Sequence, residues 1–477
     1  MKHIMRMTAL SLSLGAFLWL SGCATMAPKY TRPAAPVPAL WPSGPAYKEP
    51  AGKPAEKAVA DIPWKEFFLD PHLRELIGMA LENNRDLRVA ALNIERSRAQ
   101  YQIKRSDLFP KVDAVADGNF QGLPRTLSGT GHTENVQQYG VGLGMSSYEL
   151  DLFGRIRSLK DQALNQYFAT EQARRSVQIS LVAQVATTYM DLAADWEWQK
   201  LAMETLTNQQ NNYRLVKSSF DAGIVSALDL QQAQISVDAA RVDIARYMAV
   251  AAQDENALNL VVGAPVPADL LPQGLAEAKA AFKEITPGLS SDVLLNRPDI
   301  LQAEDQLKGA NANIGAARAA FFPRITLVSS IGLGSDDLAG LFKPGSFAWK
   351  LAPQISIPIF NAGSNRANLK VAEVDRDIAV ADYEKTIQTA FREVADALAD
   401  RGTIDELVAA RQSLTDATSE SYRLSQARYE KGVDSYLSVL IFQRAFYAAQ
   451  QNLIGARLAR MTNLVILYKV LGGGGGA

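Results

Sequence analysis

Few residues in this 477-residue chain have the type and spacing to do chemistry. His3, His72 and His132 are scattered and supply neither a metal-ligand set nor an acid/base pair. No Gly-x-Ser-x-Gly, P-loop or HExxH motif occurs, so the chain reads as no enzyme, with no catalytic residue, no metal site and no dissociable cofactor. Forty-nine Lys and Arg stand against 50 Asp and Glu, which argues against nucleic acid as a partner and against a polybasic membrane patch. One reactive group is left, the thiol of Cys23. It is the only cysteine, so the mature chain has no disulfide.

Lys2 and Arg6 precede an apolar run, MTALSLSLGAFLWL, which is too short to span a bilayer and is followed by LSGC (Leu20 to Cys23). That ending resembles the lipobox of bacterial lipoproteins. The resemblance implies cleavage before Cys23, acyl chains such as palmitate on it, and, because Ala24 rather than Asp follows, sorting to the outer membrane. An ordinary secretory leader with an incidental cysteine is the alternative. Eight prolines between positions 28 and 54 then favour an extended arm over a packed element.

The elements behind this arm come in duplicate. The stretch FDAGIVSALDLQQAQ from Phe220 is echoed 209 residues later by YEKGVDSYLSVLIFQ from Tyr429. RDLRVAALNIERSRAQYQIKRSDLFP from Arg85 parallels RPDILQAEDQLKGANANIGAARAAFFP from Arg297, and LVVG ending at Gly263 parallels KVLG ending at Gly472. The halves run from 86 to 263 and from 299 to 472. Arg155 to Ala222 contains no Gly or Pro, and Ser364 to Lys431 only Gly402, while Val177, Leu181, Val185, Tyr189, Leu192 and Trp196 recur at helical spacing. Each segment reads as one helix of about 100 Å at 1.5 Å per residue. Gly223 and Gly432 supply left-handed stops, and Ser226 or Ser435 can cap the returning helix, so each half ends in a helical hairpin tip.

A different period lies between the helices. FAWKLAPQISIPIF from Phe347 to Phe360 alternates apolar and polar residues, ITLVSSIGLG and YGVGLGMSSYEL behave similarly, and KVDAVADGNFQ carries Asp113, Asp117, Asn119 and Gln121 on one side. Two β-hairpins are expected, with strands of about 10 to 14 residues, long enough to cross an outer membrane when tilted. A small soluble sheet has the same pattern. In lipid, however, no strand edge can stay unpaired, and four strands cannot close a barrel. If the hairpins insert, several chains must pool strands, and the arithmetic alone allows two, three or four.

Together with the LSGC leader, NNRDL at Asn83, NRPDI at Asn296, YELDLFGRIRS at Tyr148, PIFNAG at Pro358, RYEKGVDSYLSVL at Arg428 and the terminal LYKVLGGG make the chain similar to the TolC-like outer membrane factor family, specifically its lipid-anchored OprM type. The resemblance covers essentially the whole mature chain. It implies an α+β membrane protein: a homotrimer whose twelve-stranded outer-membrane β-barrel, four strands per chain, continues into a long periplasmic α-helical barrel built from a tandem structural repeat. It further implies that the protein is the exit duct of a tripartite resistance-nodulation-division (RND) efflux pump, conducting drugs and other toxic compounds passively. Its partners would be a periplasmic adaptor and an inner-membrane RND pump. A heavy-metal efflux duct is the runner-up, and a non-spanning coiled-coil scaffold lipoprotein is less favoured because it leaves the alternating hairpins unexplained.

The segments expected on this basis are a signal peptide (1–22), a lipid-anchored Pro-rich arm (23–65) and periplasmic helices of repeat 1 (66–110). A β-hairpin (111–153), a long helical hairpin (154–263) and an equatorial linker (264–297) follow. Repeat 2 supplies a helix (298–323), a β-hairpin (324–361) and a helical hairpin (362–472) before a Gly-rich end (473–477). By resemblance, Asp229 and Tyr429 match positions that hydrogen-bond across neighbouring tip helices to keep the duct shut, and Leu437 and Arg444 match positions lining the constriction. Where OprM-type members read LDAQR, this chain reads LIFQR, placing Ile441 at the usual aspartate. An apolar ring there would close by dewetting rather than concentrate cations.

Overall fold

The computed structural model describes residues 25–47, 59–275, 282–283 and 290–475. Cys23, the leader before it, part of the arm and most of the linker after Leu275 lie outside the described residues. The elements are α1 (Pro71–Asn83), α2 (Arg85–Ser106), β1 (Asp113–Leu123), β2 (Glu134–Glu149), α3 (Arg155–Asp221) and α4 (Ala227–Val262), followed by α5 (Pro298–Ala319), β3 (Arg324–Ser335), β4 (Phe347–Ser356), α6 (Ser364–Glu430) and α7 (Tyr436–Val470). The duplication shows in their lengths. Helices α3 and α6 both have 67 residues, α2 and α5 both have 22, and α4 and α7 have 36 and 35.

The chain divides into two compact units, residues 1–34, 93–170 and 302–383, and residues 35–92, 171–301 and 384–477. The first contains the sheet, a single antiparallel layer in the order β1-β2-β3-β4. Registers such as Val141↔Leu333 and Ile331↔Trp349 put Val141, Leu143, Ile331, Leu333, Phe347, Trp349, Leu351 and Ile355 on one face. Asp113, Asp117, Asn119, Gln121, Ser330, Lys350 and Gln354 share the other face with Gly140, Gly142, Gly144 and Gly332. The apolar face is not a core: Trp349 is 70% exposed and Ile355 62%. Two glycines are obligatory where the central strands meet, since a Cβ at Gly142 would lie 2.4 Å from the Ile331 carbonyl oxygen and one at Gly332 2.3 Å from that of Val141.

Strand β4 is shorter than its sequence pattern. Alternation runs to Phe360, yet pairing stops at Arg324↔Ser356, where β3 begins and no partner remains. Within the single chain Pro353 lies on an edge strand. Strand β1 runs to Leu123 and β2 starts at Glu134.

In the same unit the arm lies extended along α5. Arg318 donates to the Met26 carbonyl (3.4 Å) and Asn311 to that of Pro28 (2.7 Å). Glu304, 3% exposed, accepts from the Arg32 guanidinium (Nε to Oε1, 3.0 Å) and from the Tyr30 hydroxyl (3.1 Å). Gly315 leaves room for this arm, because a Cβ there would stand 2.6 Å from the Ala27 nitrogen.

The second unit holds both helical tips and a core around Phe67, Phe68 and Tyr468. Phe67 stacks on Tyr468 at 3.9 Å, and the Tyr468 hydroxyl donates to the Ile62 carbonyl. The repeated Asn-Arg motifs each close a returning helix. Asn84 donates to the Val261 carbonyl at the end of α4 (2.8 Å), and Arg297 donates to the equivalent Val470 carbonyl at the end of α7 (2.7 Å) while pairing with Asp299 and Glu393.

Candidate functional site

Both tips are built from the same backbone device. Gly223 (φ 75°) ends α3 with Gly223 N donating to Phe220 O (2.8 Å) and Ile224 N to Ser219 O (2.8 Å). Gly432 (φ 70°) ends α6 with Gly432 N donating to Tyr429 O and Val433 N to Arg428 O. A left-handed residue satisfies the orphan carbonyls at each helix end, and glycine takes that conformation without strain.

The two turns are locked differently. In the first, Ser226 and Asp229 form a capping box: the Asp229 amide donates to the Ser226 hydroxyl oxygen (3.3 Å), and the Ser226 amide donates to the Asp229 carboxylate (3.0 Å). In the second, Ser435 occupies the N-cap position but makes no side-chain capping bond. Arg428 reaches across the turn to Asp434 instead (Nε to Oδ2, 2.6 Å). That pair lies in solvent, and the hydrogen-bonded guanidinium holds the Asp434 carboxyl below the usual carboxylate range.

Behind the turns sits an aromatic cluster. Val216, Ala233, Tyr436, Val439 and Leu440 are buried, with Tyr213, Tyr422 and Tyr429 packed against them. Tyr429 and Tyr436 meet at a centroid distance of 5.4 Å. Burial, and then the Asp229 charge, push the Tyr429 phenol above its ordinary value, and burial pushes Tyr436 up to about 12. Both therefore remain neutral hydroxyls at physiological pH. Within the chain Asp229 and Tyr429 are electrostatic neighbours, with Asp229 turned to its own helix cap.

Leu437, Ile441 and Arg444, at i, i+4 and i+7 on α7, form one exposed stripe, opposite the buried Tyr436, Val439, Leu440 and Gln443. Leu437 is 50% and Ile441 56% exposed. The sequence reading missed their counterpart on α4. Leu228, 209 positions before Leu437 and 65% exposed, occupies the matching place, and Ile235 stands where Arg444 does in the other repeat. The Arg428–Asp434 clamp was also missed, although Arg and Asp six apart around a glycine stop were its visible signal. Among the described residues, no group of three or more His, Cys, Asp or Glu is arranged to hold a metal ion, and no helix is long and apolar enough to cross a membrane.

Duplicated helical hairpins, together with a sheet that is apolar on one face and polar on the other, define the architecture of the outer-membrane efflux class. The chain belongs to the outer membrane efflux protein family, whose model matches it twice, over residues 76–264 and 289–473, once on each repeat. Among curated relatives, the toluene efflux pump outer membrane protein TtgC of Pseudomonas putida is 50% identical over 98% of this chain and 96% of its own length. Outer membrane protein OprJ of Pseudomonas aeruginosa is 42% identical over 98% and 97%. Among solved structures, the open-state MtrE outer membrane channel of Neisseria gonorrhoeae superposes with a TM-score of 0.84 at 39% identity, covering 94% of this chain and 98% of that one.

Proposed function

We propose that the protein is the outer-membrane exit duct of a tripartite RND-type efflux pump, a homotrimer anchored by acyl chains on Cys23 and gated at its helical tips. One observation carries the reading: the sheet has two open edges, β1 and β4, and its apolar face is exposed instead of packed into a core. In lipid those edges must be paired, and β4 of one copy can take β1 of the next with the antiparallel sense preserved. Three copies give twelve strands with Trp349 and Ile355 toward acyl chains and Asp113, Asp117 and Lys350 toward a wetted lumen. Helices of 67 residues supply the reach to an adaptor protein and an inner-membrane pump, where the work of transport is done. The duct itself needs no catalytic step and no cofactor beyond the lipid.

The arm supports the anchor. Met26, three positions after Cys23 in the sequence, is held at Arg318, a few residues before β3 begins. Relatives named for antibiotic, toluene and solvent efflux favour apolar and amphipathic cargo. The test is the mass of the detergent-solubilised particle together with conductance in planar bilayers. Three chains per particle and discrete channels are expected. A monomeric particle that folds stably without its acyl group and makes no channels would refute the reading.

A further inference from the structure

A polar pocket of about 350 Å³ lies where α2, β2 and α3 meet, lined by Lys104, Lys111, Ser147, Tyr148 and Arg155 among others. The pairing of β2 with β3 shifts between Met145 and Tyr148, which frees Ser147 from the ladder. Tyr148 lies on the apolar face of the sheet, opposite Leu327, and its hydroxyl donates to the Leu108 carbonyl (3.1 Å), so the pocket opens at the helix-side margin of the lipid-facing surface. Phe109 (60% exposed) and Val112 (63% exposed) extend that apolar surface past the first residue of β1 to the pocket.

The charges there are unequal. Glu149 is held by the Arg155 fork (2.8 and 2.7 Å) and shared with Arg324 (3.1 Å). Asp107 pairs with Lys111 at 3.0 Å in an exposed i, i+4 contact of the weak kind. Lys104 has no ion-pair or hydrogen-bond partner among the described residues. Three lining cations, Lys104, Lys111 and Arg155, thus face two lining carboxylates, Asp107 and Glu149, with one ammonium unused and a second loosely held.

We propose that this pocket binds the phosphodiester headgroup of an anionic phospholipid of the periplasmic leaflet, with Lys104 and Lys111 on the phosphate oxygens and Phe109 and Val112 against the glycerol ester and upper acyl chain. The proposal rests on the reading of the sheet as membrane-inserted. An anion alone would use the lysines, whereas the adjoining apolar steps select an anion attached to hydrocarbon.

Native mass spectrometry of the full-length, detergent-solubilised particle, offered phosphatidylglycerol or phosphatidylcholine at equal mole fraction, tests it, with conductance measured on the same preparation. Two lysines at the site predict a roughly thirtyfold preference for phosphatidylglycerol. It should fall to within about twofold in Lys104→Gln/Lys111→Gln, survive in the distant Lys200→Gln, and weaken for both lipids in Phe109→Ser. Equal retention of the two lipids by the unmodified protein overturns the proposal. So does displacement of phosphatidylglycerol by millimolar inorganic phosphate, which would assign the pocket to a free anion. Channels that conduct while showing no preference leave the duct reading standing and remove only the headgroup site. The comparison on the unmodified protein decides the matter even if the double variant does not assemble.

Discussion

Asp195 offers the sharpest test of how the repeat-1 hairpin is held together. The side chain is 4% exposed on the inner face of α3, and its Oδ2 finds no donor. Asp191 is one turn back on the same helix, Asp254 faces it from α4, and Tyr247 of α4 lies near enough to feel its charge. Burial, then the hydrogen bond and charge of Asp254, push the Asp195 carboxyl from 3.8 up to about 7. Burial and Asp254 push Asp191 up to about 6. The folded state therefore keeps a proton that the unfolded chain releases near its ordinary value. A group with a raised folded-state pKa of this acid type stabilises most below the unfolded value, and that contribution is lost between about pH 4 and about pH 7. The shift of Asp195, 7 − 3.8, is about 3 units, a ceiling of about 4 kcal/mol at 1.36 kcal/mol per unit. Because part of a shift this large is relieved by relaxation around a buried carboxyl, about 2 kcal/mol per chain is the working value. In Asp195→Asn the amide donates permanently to Asp254, so the variant should gain roughly that amount at pH 8 and little at pH 4. Guanidinium unfolding of the solubilised protein, followed by circular dichroism at both pH values, reads this directly. Parallel pH profiles for the two proteins would refute the carboxyl-pair argument.

Tyr429→Phe removes the hydroxyl neighbouring Asp229 while leaving the contact with Tyr436, so channels should spend more time open and cells should take up more antibiotic; unchanged conductance and uptake count against a gating role. Ile441→Asp replaces an exposed apolar step with a carboxylate ring in the assembled duct, and Mg²⁺ titrated on the tip side should block the variant more strongly than the parent; equal block refutes it. Gly142→Val puts side-chain carbon into the Ile331 carbonyl, and loss of the heat-modifiable oligomer in gel migration is expected, whereas normal migration would show that the strands can separate at no cost. Arg297→Ala leaves Val470 O without its side-chain donor and removes the cation from Asp299 and Glu393, and because both carboxylates are partly solvated a fall in unfolding free energy of about 2 kcal/mol is expected.

Local chemistry was legible in the sequence wherever one residue type decides the backbone. Sixty-eight residues without a breaker can hardly be anything but helix, and α3 runs from Arg155 to Asp221 as that window indicates. Gly223 and Gly432 take the left-handed conformation their positions suggested. Strand β4 shows the limit of pattern. Ile357 and Ile359 continue the alternation, but pairing depends on the partner strand, which starts only at Arg324. The carboxyl pair on the first hairpin was invisible for a similar reason: Asp191 and Asp195 are one turn apart on a helix, whereas Asp254 joins them only through the register of α4 against α3. The same holds for Glu304, whose partners Arg32 and Tyr30 arrive from an arm that composition describes merely as extended.

Divergence between the repeats carries its own information, because equal backbones have been given unequal side chains. Asn84 and Arg297 close the same helix end at matching carbonyls, yet one is a neutral amide and the other an ion-pair hub. At the tips a capping box faces an arginine–aspartate clamp, and Phe220 stands where Tyr429 does. A capping box is local to its own helix, so it survives any rigid-body movement of the hairpin. The clamp spans the turn in full solvent and is screened by salt. Raising ionic strength should therefore loosen the Gly432 turn while leaving the Gly223 turn intact, a difference that backbone amide exchange at Val433 and Ile224 can resolve. If both amides respond equally, the two locks are energetically alike and the asymmetry has no bearing on how the tips move.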